Sequence, residues 1–97
     1  MAFVQIIEMR TSRPDDVRAV GDEWERATEG KRTVRRRILC RDRNDTQRYL
    51  NIVFFDSYES AMENSALAET EALSKKLMSV VDGPPTFYDL DVMDDRA

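Results

Sequence analysis

Residues 49–55 read Tyr-Leu-Asn-Ile-Val-Phe-Phe. Aromatic and β-branched residues make this a strand, yet it lacks the polar–apolar alternation of a strand with one wet face. Such a strand needs apolar cover on both sides. The chain that must supply the cover has only 97 residues, and a domain of that size hides roughly 60–65% of its unfolded surface. Double cover from a thin core is the constraint that everything else must meet.

The flanking segments supply one layer. Phe3 to Arg10 (FVQIIEMR) reads as a strand. Ser12-Arg13-Pro14-Asp15-Asp16 opens a helix, with proline in the first turn and acids at the positive end of the dipole. Val17, Val20, Trp24 and Ala27 continue it at helical spacing until Gly30. Thr33–Arg41 and Gln47–Phe55 are two further strands, joined around Asn44-Asp45. Asp56-Ser57 caps a helix running to about Val81, with Met62, Ala66, Leu73, Leu77 and Val80 as inner stripe. Asn64-Ser65 are weak helix formers, and a break there is open. Asp82-Gly83-Pro84-Pro85 stops it before a last strand, Thr86–Met93. The order β-α-β-β-α-β is the ferredoxin-like pattern, an α+β fold in one domain over residues 1–97. Its four-stranded antiparallel sheet carries both helices on one face. The economical cover for the other face is the sheet of a second subunit, giving a homodimer.

Charge is segregated along the chain. Lys31 to Arg48 holds eight of the fifteen basic residues and two of the nineteen acidic ones, Asp42 and Asp45. A nucleic-acid strip is the obvious reading, but the net charge is −4 and the run has few aromatics on which bases could stack. Nucleic acid is therefore not an expected partner. There is no histidine, which removes the commonest general base and metal ligand. One cysteine, Cys40, forms no internal disulfide and suits a reducing compartment; it reads as a small buried hydrophobe. Without a signal peptide or an apolar run long enough to cross a membrane, a cytoplasmic location away from membranes is expected.

The stretch YLNIVFFDSYESAMENSALAET resembles the third strand and second helix of the antibiotic-biosynthesis-monooxygenase-like proteins, in the dimeric α/β-barrel superfamily. There a strand asparagine is followed four residues on by an aromatic, usually tryptophan, then an acid and a serine. The matching positions are Asn51, Phe55, Asp56 and Ser57. DGPPTFYDLDV is similar to the family's helix stop and final strand, and the whole is closer still to actinobacterial proteins of this type, which implies a fold without an activity. The resemblance implies a homodimer with a small-molecule cavity between sheet and helices in each subunit. Some members oxygenate aromatic phenols with neither metal nor flavin, and others only bind. Haem-degrading relatives use a helix histidine, absent here, so haem chemistry is not expected and no cofactor is implied. Asn51 is the catalytic candidate that the resemblance brings.

The hairpin decides where the arginines point. If Asn44-Asp45 is a two-residue turn, Ile38 opposes Asn51, Arg36 opposes Val53 and Cys40 opposes Tyr49. A one-residue bulge would exchange the faces. With the Asn51 face against the helices, as the resemblance implies, Arg36, Tyr49, Asn51, Phe55 and Trp24 line the ligand pocket. Trp24 also has a plainer role as core packing. Arg36 would orient a carbonyl, phenolate or carboxylate through its planar fork. Arg35 and Arg37 would face the second subunit and pair with Asp89 and Asp91 of the last strand, with Glu8 near. The expected function is a cavity for an aromatic metabolite, used for cofactor-independent monooxygenation; the alternative is a non-catalytic binding or regulatory dimer.

Overall fold

The computed structural model describes all 97 residues. Its elements are β1 (Phe3–Arg10), α1 (Pro14–Ala27), β2 (Arg36–Arg41), β3 (Arg48–Phe55), α2 (Tyr58–Ser65), α3 (Ala68–Met78) and β4 (Thr86–Asp91). The strands form one four-stranded sheet in the order β2-β3-β1-β4, with every neighbouring pair antiparallel. The apolar β3 and β1 take the centre, as a strand needing cover on both faces must. Phe3, Met9, Tyr49, Val53 and Phe55 point to the helix side and are buried there. They belong to two small clusters, one closed by Ala61 of α2 and the other by Val17 of α1 and Val81. No helix is long and apolar enough to cross a membrane.

Two expectations are corrected. The first is the hairpin register: Arg37, not Arg36, opposes Val53, and Leu39, not Ile38, opposes Asn51. The connection is not a two-residue turn. Asp42 donates its backbone N–H to Arg48 and closes a loop over residues 43–47. Inside it the carboxylates of Asp42 and Asp45 accept from the backbone N–H groups of Asn44 and Gln47. Two such Asx turns in succession cost the chain nothing in ladder bonds and shift the register by one. Because strand side chains alternate, that shift moves every residue of β2 to the opposite face.

The second concerns the inner stripe of the last helical region, where the break left open at Asn64-Ser65 does occur and gives two helices. Ser57 caps α2 by accepting from the Ser60 backbone N–H, and the chain turns at Ala66-Leu67 before α3. The break re-phases the inner stripe: Ala61 and Asn64 are buried, whereas Met62 and Ala66 are exposed. β2 also starts at Arg36 rather than Thr33, and β4 ends at Asp91 rather than Met93.

Candidate functional site

Between the two clusters lies a cavity of about 180 Å³. Nine of its sixteen lining residues are hydrophobic, and the cavity is partly open to solvent. Trp24, Val53, Phe55 and Phe87 are among its walls, and Arg37 is its one charged residue. A larger depression of about 410 Å³ near Pro14, Arg18, Arg41 and Tyr49 is mainly polar and outside this core.

Trp24 is held by its ring nitrogen, which donates to Thr70 Oγ1 at 3.0 Å. The bond joins α1 to α3 and fixes the indole as a flat wall, 6% exposed. Phe55 forms a tilted pair with Phe3, ring centroids 6.3 Å apart. Both residues line the cavity.

Arg37 reaches from β2 across α1, where its Nη2 lies 3.1 Å from Glu25 Oε1. The guanidinium passes over Gly21, and a β-carbon there would stand 2.8 Å from Arg37 Nη1. The helix thus gives up a side chain at the place the arginine crosses. The Arg37 side chain remains only 24% exposed.

Asn64 is the second polar wall residue. It is 6% exposed, and its Oδ1 is buried without a hydrogen-bond partner. An unmet buried acceptor costs about 1–3 kcal/mol, so this atom is poised for a donor that the chain itself does not provide. Asn51 carries a similar orphan, its Oδ1 buried and unpaired. Asn51 faces the helices between Ile7 and Leu39, two residues along β3 from the cavity wall at Val53, and is not itself on the lining.

The remaining candidates lie elsewhere. Arg36 is on the open face, its guanidinium 5.9 Å from the centre of the Phe54 ring; the register correction removes it from the pocket. Tyr49 faces the helices but borders the polar depression. Arg35 pairs with Asp56 of its own chain, and Arg37 is on the helix side rather than the open face. Asp89 accepts from Gln5 Nε2, and Asp91 opposes Phe3, so neither meets an arginine within the chain. The open face has its own network: Arg48 lies 3.0 Å from Glu8 and 3.1 Å from Asp42, and Tyr88 donates to Glu8. The Arg48 guanidinium, then the Tyr88 hydroxyl, hold the Glu8 carboxyl below the usual glutamate range. The same bond raises the Tyr88 hydroxyl above its usual value.

Reasoning from sequence missed Asn64, Gly21 and the role of Arg37. Gly21 did leave a signal, since it falls on the buried stripe with Val17 and Trp24, where a glycine marks close approach. Asn64 left none, because its burial depends on the break that follows it.

A four-stranded antiparallel sheet with its helices on one face defines the class: an α+β, ferredoxin-like fold. No protein-family model matches the sequence, and no curated protein matches it significantly. Solved structures do. A cofactor-independent oxygenase from Streptomyces nogalater, SnoaB, superposes with a TM-score of 0.81 at 12% identity over 97% of this chain and 95% of its own. An antibiotic biosynthesis monooxygenase candidate from Caulobacter crescentus gives 0.81 at 10% identity, over 96% and 91%. Another from Bordetella bronchiseptica gives 0.78 at 17%, over 95% and 97%. The chain therefore has the fold of the antibiotic-biosynthesis-monooxygenase-like proteins; at these identities the likeness is one of fold.

Proposed function

We propose that the protein binds a small aromatic metabolite in the sheet–helix cavity and oxygenates it with neither metal nor flavin, working as a homodimer. The cavity itself carries this reading: aromatic walls for a flat ring, a few convergent polar groups, and a largely pre-formed shape are what small-molecule sites have in common. The fold likeness to a cofactor-independent oxygenase supports the chemistry. In such a reaction an electron-rich phenolate supplies all the electrons. At a ring CH₂ group, one oxygen atom of O₂ becomes the carbonyl, and the other leaves as water with the two hydrogens that the carbon loses. The protein has to seat the ring, exclude water and hold polar groups where charge develops. Asn51, on β3 two residues from the wall at Val53, is the candidate for orienting the reacting oxygen, since its amide N–H group can donate to an oxygen that gains charge.

A second reading, a non-catalytic binding dimer, is favoured by one observation. No carboxylate and no tyrosine lines the cavity, so no general base faces it. Oxygen uptake with electron-rich phenols of one to three rings, hydroxyanthrones included, separates the two. Uptake above buffer that falls about 100-fold in Asn51→Ala, the scale for one positioned polar group, supports the oxygenase. Binding with no uptake under air supports the binder.

A further inference from the structure

We infer that the cavity selects an aromatic monoanion carrying a hydroxyl group, with Arg37 receiving the anionic oxygen and Asn64 Oδ1 the hydroxyl. This rests on the reading of the cavity as a binding site and names its ligand class. Three observations carry it. Arg37 is the only charged residue on the lining, so the site has one cationic corner and no anion inside to neutralise it. The guanidinium is seated over Gly21, where any β-carbon would press on it at 2.8 Å. Its partner Glu25 lies outside the lining, with a side chain 47% exposed, so a ligand anion can compete for the fork with a solvated carboxylate. The third observation is Asn64, a wall residue whose Oδ1 is buried and unpartnered, so a small turn of the amide toward a donor on the ligand breaks no existing hydrogen bond.

Size narrows the class further. A dry protein cavity of ~150 Å³ holds one benzene, so about 180 Å³ seats one substituted ring, and any fused ring extends into the open side of the cavity. Para-hydroxybenzoate has the ring, the charge and the donor. Its methyl ester keeps the ring and the donor but loses the charge, and benzoate keeps the charge but loses the donor.

The single tryptophan, Trp24, is a cavity wall, and its fluorescence reports each titration directly. The intact protein should bind para-hydroxybenzoate more tightly than either analogue. Arg37→Met should weaken the acid by between about tenfold and a hundredfold, the range for a charged hydrogen bond, and leave the ester unchanged. Glu25→Gln, on the exposed side of α1, should tighten the acid several-fold by releasing the fork. Asn64→Leu should abolish the preference of the hydroxy acid over benzoate. An ester bound as tightly as the acid, or an Arg37→Met variant that still prefers the acid, overturns the proposal while the aromatic cavity stands. If no aromatic compound perturbs Trp24, the cavity reading fails and this one falls with it.

Discussion

Gly21 sits where a helix ordinarily wants a side chain. Glycine in a helix interior costs about 1 kcal/mol relative to alanine, and nothing in its backbone requires it, since the two glycines with positive φ are Gly30 and Gly83. What it permits is the crossing of Arg37. Gly21→Ala should therefore stabilise the fold against urea by up to about 1 kcal/mol, because the atom in the way is the far end of a flexible side chain. The same variant should lose preference for aromatic acids; a loss of stability instead would mean that the arginine cannot move. Glu8 gives a second test. Its carboxyl is held below the ordinary value of 4.5 by Arg48, so its contribution is complete above 4.5 and is lost as pH falls through the lower folded value. The melting temperature should drop below that pH, and Glu8→Gln should flatten the acid limb; an unchanged limb would show the Glu8 bonds to be idle. Among these residues Trp24 and Phe55 were legible from sequence, since aromatic residues on apolar stripes go inward whatever the details. Arg36 was misplaced and Arg37 missed for one reason: three consecutive arginines look alike until the register says which of them points to the helices.

The strand and helix pattern was legible for a different reason. β1 runs over the residues that its apolar content marks out, and β3 and β4 begin within a residue of expectation, because period and turn residues act locally. The hairpin loop was not legible. Asn44-Asp45 suits a tight turn, but Asp42 and Asp45 each bind backbone two residues on, and those Asx turns set the length of the loop. The second helical region shows the same limit: weak helix formers at Asn64-Ser65 permit a break, and tertiary packing of Ala61 and Asn64 decides that it happens. With α2 spanning only Tyr58–Ser65, its first turn depends heavily on the Ser57 cap. Ser57→Ala should cost about 1 kcal/mol in chemical denaturation. It should also loosen Asn64 at the other end of the helix, seen as faster amide exchange across α2 than across α1. Equal exchange in both helices would mean that packing alone holds α2.

At the scale of the molecule, the sheet has one covered and one uncovered face, and an apolar band crosses the uncovered one. Two rows cross all four strands on it: Ile38, Ile52, Ile6 and Tyr88, and beside them Arg36, Phe54, Val4 and Leu90. Tyr88 and Leu90 are 42% and 44% exposed, a contiguous apolar band of the kind that marks an interface. The helix side cannot make up the deficit, since only 13 of 97 residues are buried. Face-to-face pairing of two sheets would meet the demand of β3 for cover on both sides. It would also place Arg36, rather than Arg35 or Arg37, at the subunit boundary, with the Glu8–Arg48 network as its polar rim. An interface of ordinary size, about 800 Å² per partner, needs the central row intact. Light scattering at micromolar concentration should therefore give about twice the chain mass of 11.3 kDa, with a melting temperature that rises with protein concentration. Ile52→Asp, at the middle of the row, should give a monomer that melts earlier and no longer depends on concentration. A wild-type mass of 11.3 kDa would leave the homodimer without support, and the apolar band would then need another kind of cover.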